Sequence, residues 1–282
     1  MIQLAKTIKE VREIVSQWRK QGLKVGLVPT MGYLHEGHQS LIKRSGENDR
    51  TVVSVFVNPI QFGPNEDFAS YPRDLERDMK KCEEAGADLV FAPEASEMYA
   101  GDFSTYVDMT GPTNELCGLK RPGHFRGVCT VVSKLFNIVL PDKAYFGQKD
   151  AQQLAVIKRM ARDLSFGIEI VGCPIIREED GLAKSSRNTY LSSDERSAAT
   201  VISKALSIGN ELIVNGETNA ETVLKVITEK IESEPLARID YVKAVDADSI
   251  EPIQTVSGRV LFAVAVYIGK TRLIDNFIAE RN

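Results

Sequence analysis

Val25-Gly26-Leu27-Val28-Pro29-Thr30-Met31-Gly32-Tyr33-Leu34-His35-Glu36-Gly37-His38 sets the reading of the whole chain. Its first four residues are a short apolar run that reads as a strand, stopped by Pro29. A helix is expected to begin near Glu36. Upstream, Ile8, Val11, Ile14, Val15 and Trp18 recur at helical spacing, with Thr7 placed to cap them. Downstream, the β-branched run 51–57 reads as a buried strand ended by Asn58-Pro59. Helical patterns follow over 73–85, 128–140 and 151–164, and short strands over 87–91, 144–146 and 168–171.

This alternation predicts an α/β fold: a Rossmann-like parallel sheet with helices on both faces. Ligands of such sheets bind beyond the carboxyl ends of the strands, which directs attention to the segments after Val28, Val57, Phe146 and Val171. The pattern then changes. Helical stretches over 193–214 and 220–233 precede β-rich runs over 239–245, 259–268 and 271–277, as in a smaller C-terminal α+β domain. The expected division is 1–175 and 176–282, with the polar stretch 177–188 as the hinge.

A chain of 282 residues buries a sufficient core without metal or disulfide. Its 43% hydrophobic and 26% charged residues exclude disordered, collagen-like and coiled-coil classes. A net charge of −4 argues against a nucleic-acid partner, but a few local cations can still hold a small anion. The longest apolar run, 260–268, is too short to span a bilayer, which takes about 20 residues, so no membrane association is expected. Cys82, Cys117, Cys129 and Cys173 form no Cys-x-x-Cys pair and read as buried free thiols of a cytoplasmic protein.

The chemistry gathers around His35 and His38. A helical first turn puts both on one face, its free N–H groups and dipole favour an anion, and Gly37 leaves room for a ligand near the backbone. Imidazoles there can donate to phosphate oxygens and stabilise charge growing in a transition state. Taken alone, the pair also fits surface or metal-binding histidines, although the spacing is not that of a zinc helix and His124 is the only other histidine. The later stretch Asp180-Gly181-Leu182-Ala183-Lys184-Ser185-Ser186-Arg187-Asn188 combines a glycine, hydroxyls and cations suited to a triphosphate. Without its companion it is an ordinary solvated turn.

The two segments together resemble the signature of the His-x-Gly-His nucleotidyltransferase superfamily. Three more narrow the resemblance: Asn58-Pro59-Ile60-Gln61-Phe62-Gly63-Pro64, Arg121-Pro122-Gly123-His124-Phe125-Arg126-Gly127-Val128, and Tyr145-Phe146-Gly147-Gln148-Lys149-Asp150-Ala151-Gln152-Gln153-Leu154. The ordered set closely resembles the pantoate–β-alanine ligase family from about residue 24 to 191, and again at Arg272-Leu273-Ile274-Asp275-Asn276.

The resemblance implies condensation of pantoate with β-alanine to give pantothenate, with ATP as co-substrate, AMP and pyrophosphate as products, and a pantoyl adenylate as intermediate. It implies Mg2+ and a homodimer, for which 51–57 and its surroundings are a candidate contact. By motif match, His38, His35, Lys149 and Arg187 would be catalytic. Met31, Gly32, His35, His38, Gly147, Gln148, Lys149, Asp150, Ile176, Lys184, Ser185, Ser186 and Arg187 would bind ATP, with Asp150 at the ribose. Gln61 and Gln153 would hold pantoate, and Gln61 also β-alanine. From the residues alone, both glutamines are plain surface positions.

Two departures stand out: Lys184 where many relatives have Met or Leu, and Cys117 where some have Glu. No metal ligand is assigned. Asp78 matches an acidic position of some relatives but reads as part of a solvated helix face. Rival readings are a tRNA synthetase fragment, another adenylyltransferase, and a nucleotide sensor without catalysis. The segments around Gln61, Lys149 and Gln153 favour the ligase over the first two, and a sensor would not require both histidines or the hydroxyl-rich loop.

Overall fold

The computed structural model describes residues 2–64 and 66–281. Contacts divide the chain into two compact units. The first comprises Met1–Met109, Arg121–Gln148 and Val156–Pro174; the second comprises Thr110–Lys120, Lys149–Ala155 and Ile175–Asn282.

In the first unit, β1 (Gln3–Ala5) leads to α1 (Ile8–Lys20), β2 (Val25–Thr30), α2 (Glu36–Ser45) and β3 (Arg50–Val55). Then come α3 (Leu75–Ala85), β4 (Leu89–Phe91) and the short α4 (Ala95–Met98). After α5 (Leu116–Lys120), which belongs to the second unit, follow α6 (His124–Val139), β5 (Lys143–Gly147), α7 (Ala151–Asp163), which spans the division, and β6 (Glu169–Cys173). The strands form one parallel sheet in the order β1-β4-β3-β2-β5-β6. Chain direction across the sheet reverses between β2 and β5, so the segments following those two strands flank the switch point where such sheets take ligands. Leu27, Val28, Val52, Val53, Leu89 and Val90 are fully buried, as strands covered on both faces require. The helices α2 and α3 pack with Val28, Val53, Val90 and Tyr145.

Thr7 caps α1 in a reciprocal box with Glu10, as its position before the periodic run predicts. The sheet differs from the expectation at two strands. Pro29 lies inside β2 rather than ending it, paired with Ser54 of β3; the ladder with β5 stops at Leu27, so the missing N–H deprives no partner. The strand β1 was not expected, because three residues carry no readable period. Within the candidate dimer contact at 51–57 and its surroundings, Thr51, Val52, Val53 and Ser54 are buried in an interior strand.

The second unit contains α8 (Ser193–Ala198), α9 (Thr200–Val214), α10 (Ala220–Glu232), β7 (Ala237–Asp246), β8 (Gly258–Ile268) and β9 (Thr271–Arg281). The expected single helix over 193–214 is divided at Ala199, where the Ile202 N–H reaches back only three residues to the Ala199 carbonyl. The three strands make an antiparallel sheet in chain order. Ile202, Leu206, Ile227 and Ile231 from the helices bury Phe262, Val264, Val266 and Leu273 of the sheet.

Candidate active site

The turn after β2 is held from beneath. Gly32 has φ +84° and Tyr33 φ +51°, a pair of left-handed residues that costs energy at the tyrosine. Both oxygens of Asp78 on α3 are occupied in keeping them there: one accepts the N–H of Tyr33 at 2.8 Å, the other that of Leu34 at 2.7 Å. A Cβ at residue 32 would lie 2.9 Å from the same carboxylate. Asp78 is only 1% exposed, so the solvated helix face expected for it is corrected. Burial raises its pKa, against the pull of the two N–H groups.

His35 is the N-cap of α2 and His38 its third residue. The Nδ1 of His35 accepts the Gly37 N–H at 3.1 Å, and the Nδ1 of His38 accepts the His35 N–H at 3.3 Å. The rings lie 4.0 Å apart, on one face as expected. An Nδ1 that accepts a hydrogen bond cannot carry the proton, so both neutral rings bear it on Nε2. The space left by Gly37 is not ligand space. A Cβ there would meet the His35 ring at 2.8 Å, so the glycine admits the imidazole itself.

Gln61 is nearly buried, contrary to the surface reading. Tyr99 donates to the Oδ1 of Asn58 at 2.7 Å, Asn58 donates to the Oε1 of Gln61 at 3.0 Å, and Gln61 donates to the Met31 sulfur at 2.9 Å. Its backbone is fixed as well: His124 donates from Nδ1 to the Gln61 carbonyl at 2.9 Å and accepts from Arg121 at 3.0 Å. Arg121 in turn grips both oxygens of Glu66 at 2.6 Å. Burial opposes ionisation of Glu66, but Arg121 outweighs it and lowers the pKa. His124 is thus a supporting residue that sequence reasoning quoted without assigning a role.

Gly147 ends β5, and Gln148, Lys149 and Asp150 form a tight helical turn before α7. The Lys149 carbonyl accepts from Asn276 of β9 at 2.9 Å. Gln152, rather than its neighbour Gln153, is the buried glutamine of this helix. It donates to the carbonyls of Pro112 and Glu115 and accepts the Cys117 N–H. The Cys117 sulfur lies 3.3 Å from the Tyr241 hydroxyl and 3.7 Å from the guanidinium of Arg272, which also binds Asp240.

The loop rich in serine and cations folds back on itself. The Ile176 carbonyl accepts the Lys184 N–H at 2.9 Å, and Arg177 pairs with Ala183 in a short bridge. The Ser185 hydroxyl accepts the Arg187 N–H at 3.2 Å, capping the turn Ser186–Tyr190. Lys184 lies 3.6 Å from Glu178, so its additional charge has a carboxylate partner within the loop. Among the described residues, no three His, Cys, Asp or Glu side chains gather as a metal would require. No helix among them is long and apolar enough to cross a membrane.

Residues 3–278 match the family described as Pantoate-beta-alanine ligase. The chain belongs to the pantoate–β-alanine ligase family. It is 63% identical over 271 residues to the pantothenate synthetase of Ruminiclostridium cellulolyticum, covering 96% of each chain. It is 61% identical over 276 residues to that of Enterococcus faecalis, covering 98% of each. The crystal structure of the Thermus thermophilus pantothenate synthetase superposes with a TM-score of 0.93 at 46% identity, over 98% of this chain and 99% of that one. The Francisella tularensis pantoate–β-alanine ligase, complexed with β-γ ATP and β-alanine, gives 0.79 at 36% identity, over 99% and 98%. The α/β fold is that of the family, and the chain is an ATP-dependent ligase that joins pantoate to β-alanine to give pantothenate.

Proposed function

We propose that the ligase works in two steps through a pantoyl adenylate, with the paired imidazoles at the start of α2 as the donors that drive the first. A carboxylate is a poor acyl donor, because its charge repels an amine and its leaving group would be oxide. In the first step a pantoate carboxylate oxygen bonds to the α-phosphorus of ATP, the bond to the bridging oxygen breaks, and pyrophosphate leaves. In the second the β-alanine nitrogen bonds to the acyl carbon, AMP leaves, and the amine gives up a proton. The observation that carries this reading is the Nδ1 bonding of His35 and His38, which leaves Nε2–H on each ring as the donor.

His38 donates to the α-phosphate and the departing oxygen, and His35 is the companion contact. Lys149 and Arg187 neutralise charge as it moves toward pyrophosphate, and Ser185 and Ser186 donate to the phosphates. Lys184 adds charge to the same ATP loop. Met31 and Gly32 form the turn of the His35 contact, Gln148 is a further ATP contact, the backbone of Gly147 and Ile176 lies against the nucleoside, and Asp150 accepts from the ribose hydroxyls. Gln61 and Gln153 hold pantoate by neutral hydrogen bonds, and Gln61 also receives β-alanine. Burial of Gln61 in its chain of partners supports a fixed recognition role.

The described side chains do not fit a resident metal: no three His, Cys, Asp or Glu gather, and Asp78 spends both oxygens on backbone N–H groups. Mg2+ therefore belongs to the substrate as MgATP, held by phosphate and water. The same proposal covers a cytoplasmic homodimer, with pantoate and nucleotide bound mainly by residues 1–175 and the phosphate-binding loop opening 176–282. Labelled pyrophosphate is expected to exchange into ATP when pantoate is present and β-alanine absent. Exchange that needs an amino acid instead overturns the reading.

A further inference from the structure

The motif Arg272-Leu273-Ile274-Asp275-Asn276 on β9 has no part in the chemistry above, yet two of its residues reach segments that do. Asn276 and Asp275 are each only 3% exposed. Neighbouring residues of a strand point to opposite faces, so a single strand can hold one segment on each. On one, the Asn276 Nδ2 donates to the Lys149 carbonyl at 2.9 Å. On the other, Asp275 takes the Arg177 guanidinium in a two-pronged pair at 2.6 and 3.0 Å. Arg177 in turn donates to the Gly181 carbonyl at 3.0 Å, at the root of the loop that carries Arg187.

We propose that Asn276 is a positioning residue of the ligase, fixing through the Lys149 carbonyl the peptide from which the Lys149 ammonium reaches the nucleotide phosphates. This rests on the reading of Lys149 as a phosphate cation. A lysine side chain has four rotatable carbons, and it finds one geometry cheaply only when its backbone is already fixed. The peptide unit is planar, so anchoring its oxygen sets the orientation of the plane at the root of that side chain. A displacement of about 1 Å at such a group is enough to cost on the order of 100-fold in rate. Packing alone does not call for an asparagine here. A buried amide is costly unless it is hydrogen-bonded, and a strand core is served as well by an apolar residue. The amide is also chemically specific, because a carboxylate in its place would set oxygen against oxygen.

The test is a double-mutant cycle between Asn276→Asp and Lys149→Ala, read by equilibrium binding of β,γ-methylene ATP and by steady-state kinetics. Circular dichroism melting establishes that each variant is folded; should Asn276→Asp not fold, Asn276→Ser, too short to reach the carbonyl, takes its place. Asn276→Asp is expected to weaken analogue binding about 10-fold and to lower kcat, with KM for pantoate changed less than twofold. In the Lys149→Ala background the same substitution is expected to weaken analogue binding no further, since residues acting as one unit are not additive. Equal losses in both backgrounds would mark Asn276 as purely structural and overturn the proposal. If Lys149→Ala alone leaves analogue binding and turnover intact, the phosphate role of Lys149 falls, and this inference with it; that single variant tells the two failures apart.

Discussion

The Nδ1 of His38 accepts the backbone N–H of His35, at 3.3 Å. One imidazole thus orients the residue that carries the other, and gives up its own Nδ1 to do so. The remaining polar edge of His38 is a donor, the form suited to a phosphate oxygen that gains charge. His38→Ala is expected to lower turnover by at least about 100-fold, the scale of losing one oriented donor. Thermal melting should show a folded protein. Unchanged turnover would remove His38 from the mechanism.

The turn that presents those histidines depends on Asp78. Removing its carboxylate leaves the buried Leu34 N–H and the half-buried Tyr33 N–H without that partner, at about 1–3 kcal/mol for the buried one. Asp78→Ala should therefore destabilise the protein by about 2 kcal/mol or more in urea titration. Asp78→Asn, which keeps one acceptor, should cost less. In both variants turnover should fall further than the folded fraction does, because the strained Gly32–Tyr33 pair relaxes.

Lys184 and Arg187 share a loop but not a fate. Lys184 has Glu178 3.6 Å away, so its charge already has a partner within the loop. Lys184→Met is expected to retain most activity, whereas Arg187→Ala should lose it by raising KM for ATP and lowering kcat. Equal losses in the two variants would give Lys184 a phosphate role of its own.

Acid should cost stability through Glu66. Its pKa is lowered in the folded protein by Arg121, despite burial, so its contribution to stability is present above the unfolded glutamate value of about 4.3. That contribution is lost as pH falls through the folded value. Glu66→Gln should lose less stability than the parent as pH falls below about 4.3. A parallel decline in the two proteins would show that the pair is not linked to folding.

Most of the architecture is written in local pattern. Periodic apolar residues with a cap mark α1, β-branched runs mark β3 and β8, and His35-Glu36-Gly37-His38 marks the candidate site, because these signals lie within a few neighbouring residues. The residues that hold the site in shape are different. Asp78 lies 45 residues from the turn it secures, His124 lies 63 from Gln61, and Asn276 lies 127 from Lys149. Each is an ordinary polar residue in its own segment, and its role exists only in the partner that folding brings to it. Sequence by itself therefore determined the alternating sheet and the helical cover, and it singled out the proposed reacting groups. Tertiary structure decided which nitrogen of each imidazole keeps its proton and what Gly37 makes room for, because hydrogen-bond partners and close contacts are properties of the assembled fold.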